Sequence, residues 1–271
     1  MRITAAFRPG LLVGALLLGS APAAAADPAA NVETWVRLKG DATGALTYEW
    51  VSGSAQGLPD DAIAQPLFGI ESVTVRRFLR TGTSQYIEQT YSCRLYRDLA
   101  TGEYIDRFTN PFTGREVKFA IRCGAGLALR YTPQRVMLLQ WRDLRSTAFD
   151  APLQMERINT GELVVLRRES RSEFRRDANS PWRRESSVDS FIVKAEDLAN
   201  PQITNLAASY QWTSVAPWMT ELDMGARRGV MLWFVSGRKF SSAADLPAGF
   251  LKALDRLVPG ALTDFAFSDP G

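Results

Sequence analysis

The stretch from Ser84 to Arg97 carries the densest set of side chains able to do chemistry. Strand alternation puts Tyr86, Glu88, Thr90, Ser92, Arg94 and Tyr96 on one face, with Ile87, Tyr91, Cys93 and Leu95 on the other beside Gln85 and Gln89. A face bearing a carboxylate, a guanidinium and two phenols could line a cavity. Arg94 would then receive an anion, and Glu88 or a tyrosine such as Tyr86 would move a proton. A half-exposed antiparallel strand turns the same pattern to water, so a solvated outer face is the competing interpretation.

A second concentration gathers Tyr210, Trp212, Trp218 and Met219 around Pro217, with Trp233 and Phe234 on the strand that follows. Large aromatics and methionine fill interiors efficiently, so a core cluster is the simpler explanation. The sharper one is a box for an aromatic or lipid-like molecule, walled by Tyr96, Trp212, Trp218 and Met219. Arg167, Glu169, Arg171, Glu173 and Arg175 also share a face. That ladder of opposite charges suits a water-facing strand and discourages edge pairing; the alternative is a ligand-binding basic surface, against which the interleaved glutamates cancel most of the field. Asp98, Glu103 and Asp106 lack the dense oxygen spacing of a calcium loop and serve as turn residues.

The chain contains no histidine. This removes Ser-His-Asp triads, Cys-His dyads, histidine-ligated haem and histidine-bound zinc, and leaves acid–base work to a carboxylate, Tyr, Lys, Cys or water. There is no glycine-rich phosphate loop, nucleophile elbow or cysteine-rich metal motif, and neither a cofactor nor a metal is expected.

Strands must position these residues. Period-two runs bounded by Gly, Pro, Asn or Asp predict strands at 43–52, 70–80, 84–97, 104–109 and 116–123, then at 162–176, 187–194, 203–213 and 229–240; residues 134–141 fit strand or helix. Thr101-Gly102 and Asn110-Pro111-Phe112-Thr113-Gly114 are turn sequences that join three of these strands into an antiparallel meander. A short helix from Asn31 to Leu38, capped by Asn31 and stopped by Gly40, precedes the strands. A helix from Leu246 to Val258, stopped by Pro259-Gly260, follows them, ahead of a short frayed tail, Ser268 to Gly271. The predicted fold is mainly β: a large antiparallel sheet, closed or nearly closed into a barrel, with short helices against its ends or outside. No repeat or linker divides it, so residues 27–271 are expected to form one domain.

Residues 1–26 have the layout of a secretory signal peptide: cationic Arg2 and Arg8, an apolar run from Leu11 to Leu18, and Ala24-Ala25-Ala26 before Asp27. The apolar run is too short for a membrane anchor, and no stable membrane insertion is expected after cleavage. The mature chain would be periplasmic or secreted. Loss of Arg2 and Arg8 leaves 30 basic against 29 acidic residues, which gives no electrostatic reason to bind nucleic acid or anionic membrane. An oxidising compartment would permit Cys93 and Cys123 to pair. They fall on the first and third meander strands, however, ~9.5 Å apart against the roughly 4.4–6.8 Å a bridge needs, so a bridge requires a middle strand too short to intervene.

Tyr96-Arg97-Asp98-Leu99-Ala100-Thr101-Gly102-Glu103 followed by Asn110-Pro111-Phe112-Thr113-Gly114 is one motif. Trp212 through Pro217-Trp218-Met219 to Gly225, Gly229, Gly237-Arg238-Lys239 and Leu246-Pro247 is another. Together they resemble a bacterial family catalogued only as a domain of unknown function, number eighteen thirty-eight, across most of the mature chain. Where that family is expected to continue with a histidine and an Asn-Asp-Pro stretch, this chain has Ala120-Ile121-Arg122-Cys123-Gly124-Ala125-Gly126. The resemblance implies no activity. The residues themselves support an extracytoplasmic small-molecule-binding protein whose aromatic- and arginine-lined cavity takes an apolar or aromatic ligand, with or without an acidic group. The alternative is a cofactor-free lyase or isomerase that shifts protons on such a ligand with Glu88 or Tyr86 while Arg94 holds charge.

Overall fold

β-branched and aromatic residues sustain three long opening strands, β1 (Thr47–Pro59), β2 (Gln65–Gly82) and β3 (Gln85–Arg97), in a computed structural model that describes residues 27–119, 121–139, 144–175 and 179–267. Short strands follow: β4 (Tyr104–Ile105), β5 (Arg107–Thr109), β6 (Glu116–Lys118), β7 (Arg122–Ala125), β8 (Leu129–Tyr131), β9 (Val136–Leu138), β10 (Leu144–Ser146) and β11 (Glu156–Thr160). Four longer ones complete the sheet: β12 (Leu163–Phe174), β13 (Arg183–Lys194), β14 (Ser209–Ala216) and β15 (Gly229–Phe240). The helices are α1 (Pro28–Lys39), α2 (Ala195–Ala199) and α3 (Ala248–Leu257). The leader and the last four residues lie outside the described residues, as does the end of the ambiguous 134–141 stretch, whose described part is β9.

The strands pair in the order β10-β12-β13-β14-β15-β1-β2-β3-β8-β9, with β11 added to β12, and β4 and β7 added to β3. Every ladder is antiparallel. The sheet curls into a half-barrel whose first and last strands do not pair with each other. A seam just beyond β10 ties them instead: Asp150 N donates to the Val136 carbonyl at 2.7 Å, and Val136 N donates to the Ala151 carbonyl at 3.0 Å. Tight curling where β1 meets β15 depends on missing side chains. A Cβ at Gly53 or Gly237 would fall 1.9 Å from a carbonyl oxygen of the neighbouring strand.

Apolar side chains divide between the two faces. Outside, Phe250 and Leu254 of α3 cover Tyr48, Val73, Val75 and Leu95 of β1–β3. Inside, α1 enters one end of the curl and buries Val32, Trp35, Val36 and Leu38 against Phe78, Tyr131, Leu166, Phe191 and Tyr210, side chains drawn from strands on both sides of the seam. Its cap is Asp27, which accepts from Ala29 N at 3.0 Å, with Pro28 in the first turn. Asn31, the cap expected from sequence, is inside the helix and donates to the Leu153 carbonyl at 3.0 Å. α1 stops at Gly40, where a Cβ would lie 2.5 Å from the Phe78 ring.

Candidate functional site: an open groove beside a plugged core

All of Tyr86, Glu88, Ser92, Arg94 and Tyr96 point to the inner face of β3, so the inward alternative is the one the fold adopts. The interior they enter has two unlike ends.

At the α1 end the inner face is sealed. Lys39 of α1 donates to Glu49 Oε2 at 2.8 Å, Arg76 Nη1 reaches the same oxygen at 3.4 Å, and Arg76 Nε donates to Glu88 Oε1 at 2.5 Å. Tyr131 OH donates to Glu88 Oε2 at 2.6 Å, so both oxygens of Glu88 are engaged. Burial alone would raise the Glu49 carboxyl, but the Lys39 and Arg76 charges outweigh it and hold it at about 2. Burial, reinforced by the Glu88 carboxylate, pushes the Tyr131 phenol well up. The Lys39 ammonium also stands 4.4 Å over the Tyr210 ring. Tyr86 is fully buried; its hydroxyl donates to Glu33 Oε2 at 2.6 Å and accepts from Arg80 at 2.7 Å. Neither Glu88 nor Tyr86 lines the groove described next, so the three residues singled out for chemistry are not brought together.

At the other end the curl is open. A groove of about 1100 Å³ runs from Ser92, Arg94 and Tyr96 of β3 across to Arg183 and Glu185 of β13, floored by Trp212 and Trp233 and bordered by Met219. Of the seven candidate residues, Arg94, Tyr96, Trp212 and Met219 line it. Trp218 lies outside the groove lining. Its ring is 5.9 Å from Phe112, it crowds Gly57 and Gly229, and its buried Nε1 has no partner among the described residues. The groove's polar walls are fixed: Ser214 donates to Glu185 Oε1 at 2.7 Å, and Arg183 donates to the Trp218 carbonyl and to Thr220 Oγ1. Arg94 differs. It is exposed, its guanidinium lies 5.6 Å from the Trp233 ring, and its side chain has no ion pair or hydrogen bond among the described residues.

One groove wall is β7, whose Cys123 sits directly opposite Cys93 at a Cα separation of 4.2 Å, and the two form a disulfide. The middle strand of the meander is indeed too short to intervene. β4 pairs only with Tyr96 and Arg97, after which residues 107–109 turn away to pair with β6. Sequence reasoning missed Arg183, Glu185 and Ser72 on the groove walls. β13 begins at Arg183, four residues before the predicted start, and an alternation carried back through Glu185 would have found both wall residues. Asp98, set aside as a turn residue, accepts from the backbone N–H groups of Ala100 and Thr101 at 2.9 and 2.8 Å.

No helix among the described residues is long and apolar enough to cross a membrane. No curated protein matches the chain. Among solved structures it is similar to Ail, the attachment invasion locus protein of Yersinia pestis, at 4% identity and a TM-score of 0.26, covering 73% of this chain and 99% of that one. A likeness that slight carries no argument. Residues 44–263, which hold the whole sheet and α3 but not α1, match the family described as Protein of unknown function (DUF1838), and the chain belongs to that family.

Proposed function

We propose that the open groove is a small-molecule site for an apolar or aromatic ligand carrying an anionic group, in a protein that works outside the cytoplasm. One observation carries this: Arg94, with no ion pair or hydrogen bond from its side chain among the described residues, lies 5.6 Å from the Trp233 ring inside a groove that also presents Tyr96, Trp212 and Met219, while the wall residues Arg183 and Glu185 are already engaged. A guanidinium beside an aromatic ring can still offer N–H groups to a carboxylate, and the neighbouring aromatic surface rewards a hydrophobic body. The Cys93–Cys123 bridge accords with an oxidising compartment.

Tryptophan fluorescence and thermal-shift titrations with aromatic and aliphatic carboxylates, each paired with its neutral amide, test this proposal. Saturable quenching and a raised melting temperature with the acids are expected. Uniformly flat responses across the panel would sink the proposal.

A further inference from the structure

The outer face of the sheet is covered over β1–β3 by α3, while around Val215 of β14 and Phe234 of β15 it is uncovered among the described residues. These two residues, each 44% exposed, flank a shallow depression of about 370 Å³. Two adjacent rows of cross-strand neighbours line it. One runs Glu169, Val188, Thr213, Phe234; the other runs Arg171, Ser186, Val215, Leu232. Each row begins with a charge and ends with a large apolar group, and the two charges are opposite.

We propose that this face binds a second copy of the chain through a two-fold axis lying in the face, perpendicular to the strands and between the two rows. Such an axis lays each row on the other row of the second copy. Glu169 meets the second copy's Arg171, Phe234 meets its Leu232, and Thr213 meets its Val215, at the ~10 Å spacing of stacked sheets. The charges beyond continue the match. A strand that alternates Arg167, Glu169, Arg171 and Glu173 on one face is complementary to itself when reversed, so Arg167 meets Glu173. Arg171 has no ion pair among the described residues, while Glu169 holds Arg167 and Glu173 holds Arg184 in exposed pairs that exchange partners at little cost. Exposed apolar surface at the row ends is what association would remove from water.

Sedimentation velocity of the full chain over a range of concentrations reads this directly. A dimer is expected. Phe234→Asp should make it monomeric, and Glu169→Arg or Arg171→Glu alone should each weaken self-association about tenfold or more, because each sets like charges against each other twice. The double variant Glu169→Arg/Arg171→Glu again sets opposite charges against each other across the axis and should recover the dimer. Circular dichroism melts identify any variant that fails to fold, and Val215→Asp replaces Phe234→Asp in that case. A chain that is monomeric at every concentration, a dimer indifferent to Phe234→Asp, or a double variant no better than the singles overturns the proposal. None of these outcomes depends on whether the groove binds a ligand.

Discussion

The two ends of the half-barrel use the same strands, and even the same face of β3, to opposite effect. At the α1 end, charged groups are surplus to packing and are neutralised against each other: Lys39, Glu49, Arg76 and Glu88 form a continuous chain with less than a tenth of any of these side chains exposed. At the groove end, six residues further along β3, Arg94 meets no such partner among the described residues and is exposed beside Trp233. A buried charge network contributes little net stability but becomes costly when one member is removed, whereas an unpaired exposed guanidinium contributes nothing to folding and is free for recognition. Polar residues on an inward strand face thus have two fates, and the neighbour across the curl decides which.

The largest expected effect breaks the sealed end. Glu49→Ala leaves Lys39 and Arg76 buried without their shared carboxylate and should destabilise the fold by about 3–5 kcal/mol in urea unfolding. Next, reducing the Cys93–Cys123 bridge releases a constraint across 30 residues and should cost about 3–4 kcal/mol, with the loss falling on the groove wall. Acid sharpens the contrast further. Because the folded Glu49 carboxyl is held at about 2, below its ordinary 4.5, its contribution is complete above 4.5 and disappears as the pH falls towards 2. The urea midpoint should therefore drop over that interval, and Glu49→Gln should flatten that part of the profile. The smallest effect on stability belongs to the open end. Arg94→Gln should shift unfolding by no more than about 0.5 kcal/mol. It should nevertheless remove the groove's preference for carboxylates over amides, measured by the same fluorescence titration.

Strand alternation made β3, β15 and the mainly β architecture legible, because the side-chain period is a local property of the backbone. β15 was placed at its observed bounds, Gly229–Phe240. The strands at 129–131, 144–146 and 156–160 escaped because segments of three to five residues are too short to show a period, and they exist by pairing with longer neighbours. The inward face of Glu88 and Arg94 was legible as a face, but their separation was not. What seals Glu88 is Arg76 from the adjacent strand and Tyr131 from β8, which brings together residues up to 43 positions apart. The groove's four lining candidates were named from composition and spacing. Trp218, next to Met219, shows the limit of that method, since one residue along a chain reversal moves a side chain from the groove to the core.

α1 has a consequence for how the chain acquires its fold. It is the first described element along the polypeptide, yet it is held by the carbonyls of Leu153, Leu198 and Ile203 and by Lys239, whose Nζ donates to the Arg37 carbonyl at 2.6 Å across 202 positions. Contacts of such long range form late, after loop closure has been accomplished elsewhere. During synthesis the amphipathic segment around Trp35 must wait, unhoused, for strands made nearly last. Until β13 to β15 exist, the apolar side of this helix lacks part of its housing, Phe191 and Tyr210 among it.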